Sequence, residues 1–138
     1  NCKFISNHAK SNNSGGGFSY SDEDVNNEIL LSSLIFQGCQ FMNNIANNKG
    51  GSLFIKGGEK LTNIKIIETD FIENIADGEG GSIYIDTSTT SLTAIYISQS
   101  TLESNIAFIH YGCIYIKNKG CEPFDKSVQE LYHHNLIN

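Results

Sequence analysis

The stretch FMNNIANNKGGSLFI, from Phe41 to Ile55, is followed thirty residues on by FIENIADGEGGSIYI, from Phe71 to Ile85. Phe, Asn, Ala and a Gly pair recur at the same offsets, while the residues between them vary. A period of this length constrains the fold more than composition does, because each unit can bury its apolar face only against the next. Two further copies align, FISNHAKSNNSGGGFSY from Phe4 and LESNIAFIHYGCIYI from Leu102, and YHHNLIN opens a fifth. The repeated Asn column is Asn7, Asn44, Asn74, Asn105 and Asn135. Only the first interval is longer than about thirty residues, and it contains SDEDVNN, residues 21–27, which reads as an enlarged surface loop.

Between the copies run LSSLIFQGCQF, LTNIKIIETDF and LTAIYISQSTL. Leu31, Leu61 and Leu92 form one column, Leu34, Ile64 and Ile95 a second, and Phe36, Ile66 and Ile97 a third. These runs are β-branched, alternate apolar with polar, and are bounded by Gly, Asn, Ser and Lys, which specifies strands rather than helices. Two or three short strands in each unit of about thirty residues make one rung of a parallel β-helix. The expected architecture is an all-β solenoid of about four rungs, with like residues stacked at the strand spacing of roughly 4.8 Å. A leucine-rich-repeat solenoid is the alternative, since LTNIKIIETDF also fits L-x-x-L-x-L; the GGSIYI strand has no place in that template.

Stacking assigns each column a role. Phe4, Phe41, Phe71, Leu102 and Tyr132 are expected to form an inward, mostly aromatic ladder, with Leu53, Ile55, Ile83, Ile85, Ile114 and Ile116 on the opposite wall. The Asn column belongs at an inward bend, where each amide can bond its neighbours along the axis. Gly50–Gly51 and Gly80–Gly81 are expected to supply positive φ or a close backbone approach at a tight corner, where the fourth copy keeps only Gly112.

These F-x-x-N and G-G-S-[IL] units resemble the repeats of the polymorphic outer-membrane protein adhesins, a surface-exposed autotransporter family, and of pectin-lyase-like β-helices generally. The resemblance covers nearly the whole chain. It implies a right-handed parallel β-helix, secreted or displayed at the cell surface, that works in adhesion or display. The sequence departs from the family pattern in YGCI and in CEPFDKSVQELYHHN, so residues 120–138 are expected to be irregular or a last partial rung. The chain is read as one solenoid segment, residues 1–138, cut from a longer repeat protein; neither end reads as a cap.

The formal net charge is −6, with nine Lys and no Arg. Nucleic-acid binding needs a basic face, and bidentate capture of phosphate or carboxylate draws on Arg, so both are disfavoured. No apolar run reaches the roughly 20 residues of a membrane-spanning helix. An enzyme of the polysaccharide-active, pectin-lyase-like kind is the alternative function, with its catalytic rungs outside this segment. Such sites need clustered carboxylates, and Asp70, Asp77 and Asp86 fall in different columns. No catalytic residue and no metal or cofactor site is expected. Asp22, Glu23 and Asp24 are weighed as a Ca²⁺ site, but adjacent side chains diverge and a solvated loop is the favoured reading. His133 and His134 point to opposite faces of any strand and do not chelate together; His8 and His110 have no carboxylate partner in sequence.

Cys2 and Cys39 share a column with Thr69 and Ser100, and are either a disulfide or free thiols. Cys113 and Cys121 bracket IYIKNKG and are a second candidate disulfide. Asn12, in NNS, is a candidate glycosylation site in a secreted eukaryotic protein. Alternation places Phe54, Tyr84 and Tyr115 on the outer face, either as a ladder that stabilises an ordinary β surface or as a contact strip for a neighbouring protein or a glycan. The functional expectation is a non-catalytic, rigid scaffold for contact with proteins or glycans in an extracellular or surface assembly.

Overall fold

The computed structural model describes residues 1–21, 32–57, 61–87, 94–109, 112–118 and 124–126. Rung I holds β1 (Lys3–Ile5), β2 (His8–Ala9) and β3 (Phe18–Ser21). Rung II holds β4 (Ser33–Gln37), β5 (Gln40–Met42), β6 (Ile45–Ala46) and β7 (Leu53–Lys56). Rung III follows with β8 (Asn63–Ile67), β9 (Asp70–Ile72), β10 (Ile75–Ala76) and β11 (Ile83–Thr87). Rung IV is β12 (Ala94–Ser98), β13 (Thr101–Glu103), β14 (Ile106–Ala107) and β15 (Ile114–Asn118), after which comes β16 (Phe124–Lys126).

Equivalent strands pair in parallel from rung to rung, giving four sheets ordered β4-β8-β12, β1-β5-β9-β13, β2-β6-β10-β14 and β3-β7-β11-β15-β16. Their register joins the repeats residue for residue: Phe4 to Phe41 to Phe71 to Leu102, and Phe18 to Leu53 to Ile83 to Ile114. The fold is therefore an all-β parallel solenoid with no helix among the described residues. Each complete rung has four strands, one or two more than the repeat pattern predicts. Left-handed residues divide the apparently continuous run from Asn63 to Ala76: Glu68 (φ 50) separates β8 from β9, and Glu73 (φ 53) separates β9 from β10. Four parallel strands per repeat also set aside the leucine-rich alternative.

Every sheet turns one face inward. Phe41, Leu53, Ile55, Leu61, Ile64, Ile66, Phe71, Ile83 and Ile85 are fully buried. The Phe ladder stacks nearly flat, with ring centroids 4.6 Å apart for Phe4–Phe41 and 4.9 Å for Phe41–Phe71. Those separations are the strand spacing itself, so the backbone rise holds the rings in offset contact. Phe36 and Phe18 meet the ladder edge-on, at 5.8 Å from Phe41 and 6.4 Å from Phe4 respectively. Leu31, Leu92 and Tyr132 lie outside the described residues.

The Gly pair does both things expected of it, one at each position. Gly50 (φ 61) and Gly80 (φ 64) carry the positive φ. Gly51 and Gly81 lie beneath the backbone of the next rung; a Cβ on Gly51 would collide with the Gly81 carbonyl oxygen. At the C-terminal side β16 pairs antiparallel with β15, Ile116 opposite Phe124, so the chain reverses there and covers one edge that reads as uncapped in sequence. The insert at 21–27 lies outside the described residues beyond Ser21, and of 120–138 only β16 is described.

Candidate binding surface

The surface is built on the Asn bend. In each rung a left-handed residue, Ser6, Asn43, Glu73 or Ser104, turns the chain between two short strands, and the Asn that follows points inward. Asn44 N–H and Asn44 Nδ2 both donate to Asn74 Oδ1 at 3.0 Å. Asn74 N–H and Nδ2 donate in the same way to Asn105 Oδ1, at 3.0 and 2.9 Å. The second hydrogen of each Nδ2 goes to the Phe carbonyl of the rung before: Asn44 to Phe4 O, Asn74 to Phe41 O and Asn105 to Phe71 O, at 2.8–2.9 Å. Two donated and two accepted bonds use both amide hydrogens and both oxygen lone pairs of Asn74, which explains why Asn alone suits the position. Asn7 donates to Asn44 Oδ1 at 2.9 Å and is exposed at the first rung. Asn135 lies outside the described residues; Asn105 Nδ2 instead stands 3.4 Å from Cys113 Sγ.

A second bend uses the same device with smaller side chains. Gly38, Glu68 and Gln99 are left-handed, and the residues after them are Cys39, Thr69 and Ser100. Thr69 Oγ1 donates within 2.9 Å of Ile67 O and accepts from Cys39 N–H at 3.3 Å, while Thr69 N–H donates to Ser100 Oγ at 3.2 Å. The cysteine column is thus a hydrogen-bonding ladder. Cys2, Cys39 and Cys113 are free thiols here, the second of the two readings for the Cys2–Cys39 pair; Cys121, the other half of the Cys113 candidate, lies outside the described residues. Cys39 is held instead by its bend, with Sγ 3.5 Å from Gln37 O, while Cys2 is exposed at the first rung. Burial pushes the Cys113 thiol up to about 12, against a small opposing effect of the Asn105 amide.

The aromatic strip stacks as expected, with Phe54–Tyr84 centroids 5.3 Å apart and Tyr84–Tyr115 4.8 Å. It is not an open contact surface, for Tyr84 is 4% and Tyr115 6% exposed. The Lys49 ammonium lies 4.7 Å from the Tyr84 ring centroid, 3.2 Å from its hydroxyl and 2.9 Å from Glu79. Burial pulls the Lys49 pKa down, but the bonds to Glu79 and Tyr84 outweigh it and the net shift is upward; Tyr84 is also raised, chiefly by burial.

Exposed and half-buried apolar residues flank the Asn bend, apart from Ile35 and Tyr96, which are exposed on β4 and β12. Ile5, Met42 and Ile72 form one outward column and Ile45, Ile75 and Ile106 another. Ile5 is 49% and Ile106 47% exposed, and Phe108 continues the surface at 67%. Carboxylates frame it. Glu68, Asp70, Glu73, Asp77 and Glu79 all belong to rung III, with no Lys between residues 68 and 79, and Glu103 lies beside Ile72 in the next rung. Glu79 is paired with Lys49, and Asp77 Oδ2 accepts from Asn47 Nδ2 at 2.7 Å. The signal was present in FMNNIA and FIENIA, where Met42, Ile45, Ile72 and Ile75 are apolar at outward positions; the repeat pattern assigned them no role.

Asp70 on β9 and Asp77 just after β10 do not converge with Asp86 on β11, which lies 3.9 Å from Lys117. Among the described residues no group of three or more His, Cys, Asp or Glu is placed to hold a metal ion. His8 Nε2 is hydrogen-bonded to Asn47 Oδ1 at 2.9 Å. Asn12 sits exposed in a turn with φ 63, and its carbonyl accepts from Asn48 Nδ2. Asp22, Glu23, Asp24, His110, His133 and His134 lie outside the described residues. The chain matches no family model, no curated protein and no solved structure.

Proposed function

We propose that this chain is a non-catalytic β-solenoid module of a secreted or cell-surface protein, a rigid scaffold whose outer face makes lateral contacts with other proteins. The observation that supports it most is the Asn ladder. Asn74 is fully buried and joins the rungs on either side through four side-chain hydrogen bonds, so successive rungs cannot shift independently. A rod of this kind holds outward side chains at fixed intervals along its axis. The resemblance of its F-x-x-N and G-G-S-[IL] units to surface adhesins agrees with display outside the cell. Glycan contact through stacked rings draws less support, because Tyr84 and Tyr115 are covered.

Localisation is the direct test. Intact cells that produce the natural full-length protein are treated with a membrane-impermeant amine label or a protease, and this segment is recovered with an antibody raised against it. Surface display predicts labelling before lysis. Labelling that occurs only after lysis overturns the proposal.

A further inference from the structure

We infer that the Asn bend of rungs II to IV is a docking surface for a basic, amphipathic segment of a partner protein. The inference rests on the scaffold reading for its setting, and adds where contact is made and with what chemistry. The apolar floor is Met42, Ile45, Ile72, Ile75 and Ile106, outward side chains in two adjacent columns, with the exposed turn residues Asn43, Glu73 and Ser104 running between them. Three stacked rungs place these side chains at intervals of roughly 4.8 Å, so the floor extends about 10 Å along the axis. Ile106 is exposed and the other four are half-buried, so the floor is a shallow apolar strip, and such a strip with a polar rim is the ordinary mark of a protein contact.

The rim decides the partner. Asp70, Glu73 and Glu103 surround Ile72, and among the described residues none of the three forms an ion pair. Glu73 N–H donates to Glu103 O at 2.9 Å, so the two carboxylates start from neighbouring backbone positions. Two like charges side by side on an exposed bend repel each other, and a cation brought between them relieves that repulsion. Anionic partners, including nucleic acids and acidic lipid surfaces, meet the opposite field. A segment with Lys or Arg along one side and Leu, Ile or Phe along the other satisfies floor and rim together.

The test uses the chain as described and synthetic peptides as probes, followed by fluorescence anisotropy. One peptide is basic and amphipathic, built from Lys and Leu. A second scrambles the same composition so that no apolar side exists, and a third replaces each Lys by Glu. Vesicles of neutral and of anionic lipid are run alongside. The expected order is the amphipathic basic peptide first, the scrambled peptide weaker by about tenfold, and no binding of the acidic peptide or of either vesicle. The double variant Glu73→Lys with Glu103→Lys should weaken the first peptide about tenfold and flatten its salt dependence. Ile72→Ser with Ile75→Ser should weaken it while leaving the salt dependence in place. Both pairs face outward, and the melting curve of each variant checks that it folds.

Equal binding of the amphipathic and scrambled peptides, or wild-type affinity in both double variants, overturns the inference. Binding to anionic vesicles in preference to peptide would also overturn it, in favour of a lipid contact. The outcome is independent of localisation. Surface labelling can fail while the peptide still binds, and peptide binding can fail in a protein that is displayed.

Discussion

Replacing Asn74 by Ala tests the ladder at its best-connected point. The substitution deletes an amide that accepts twice from Asn44 and donates to Phe41 O and Asn105 Oδ1. Two of the four partners keep another bond: Asn44 Nδ2 retains Phe4 O, and Asn105 Oδ1 retains Asn74 N–H. Asn44 N–H loses its side-chain acceptor inside the solenoid, at a cost of about 1–3 kcal/mol, and the weakened partners add about 0.5–1.5 kcal/mol. A total of about 1.5–4.5 kcal/mol is expected. Asn7→Ala removes one exposed donor, while Asn44 Oδ1 still accepts from Asn7 N–H, so about 0.5–1 kcal/mol is expected there. Equilibrium denaturation in urea, read by far-ultraviolet circular dichroism for both variants, gives the comparison. Equal midpoints for Asn7→Ala and Asn74→Ala, or an Asn74→Ala midpoint matching the wild type, would refute the claim that the amide is bonded on both sides. Asn74→Asp sharpens the test. It presents an acceptor to Phe41 O and Asn105 Oδ1, so its folded pKa rises above the unfolded value; destabilisation should be full above the folded pKa, relieved as pH falls through it, and gone once pH reaches the unfolded value of about 4.

Gly51→Ala should prevent folding or lower stability by several kcal/mol, because its Cβ would collide with Gly81 O and stand 2.6 Å from Ile75 O, whereas Gly112→Ala, with nothing within 4 Å, should fold normally; yield and melting temperature of the two variants make the comparison. Thiol alkylation mapped by mass spectrometry should modify Cys2 promptly in the native protein and leave Cys39 and Cys113 unmodified until denaturant is added, since both are buried and the Cys113 pKa is pushed up to about 12. Lys49 and Tyr84 both have folded pKa values raised above 10.5 and 10.0, so their contribution is complete below those values and is lost as pH rises through the folded ones; a Tyr84→Phe variant, which removes one group and part of what raises the other, should show a smaller alkaline drop in melting temperature than the wild type.

The inward half of this protein was legible in its sequence because stacking imposes identity. A Phe in the Phe41 column must lie on Phe4 and Phe71, and an Asn in the Asn74 column must complete the bonds of Asn44 and Asn105. Strand number was less legible. The bends at Glu68 and Glu73 are made by non-Gly residues in the left-handed region, which carry no distinctive residue type and leave apolar alternation unbroken on either side. The role of Cys39, Thr69 and Ser100 was hidden for a similar reason: three different residues share the ability to hydrogen-bond a bend, so the column reads as variable. Outer-face exposure was the least legible. Alternation placed Phe54, Tyr84 and Tyr115 on the correct side of their strand, but the covering of Tyr84 depends on Lys49, which comes from the preceding rung.

This asymmetry between faces also explains where a protein of this architecture can carry specificity. Inward columns tolerate little change, since a single altered member disturbs the rungs above and below it. Outward columns flanking the Asn bend are paired mainly through backbone, and there they differ from rung to rung: Lys3, Gln40, Asp70 and Thr101 occupy one register position, and Ser6, Asn43, Glu73 and Ser104 another. Charge can therefore be concentrated in one rung at almost no cost to the core. Rung III carries five carboxylates between residues 68 and 79 while its inward Phe71, Asn74 and Ala76 match those of rung II. Glu79 is paired with Lys49 and Asp77 accepts from Asn47, but among the described residues Asp70 and Glu73 form no ion pair and stand beside Glu103, so their presence at this bend is opposed by the electrostatics of the isolated fold. A contact that supplies positive charge at that bend removes the opposition, and it is the outward half of rung III, not the ladder that supports it, that would choose the partner.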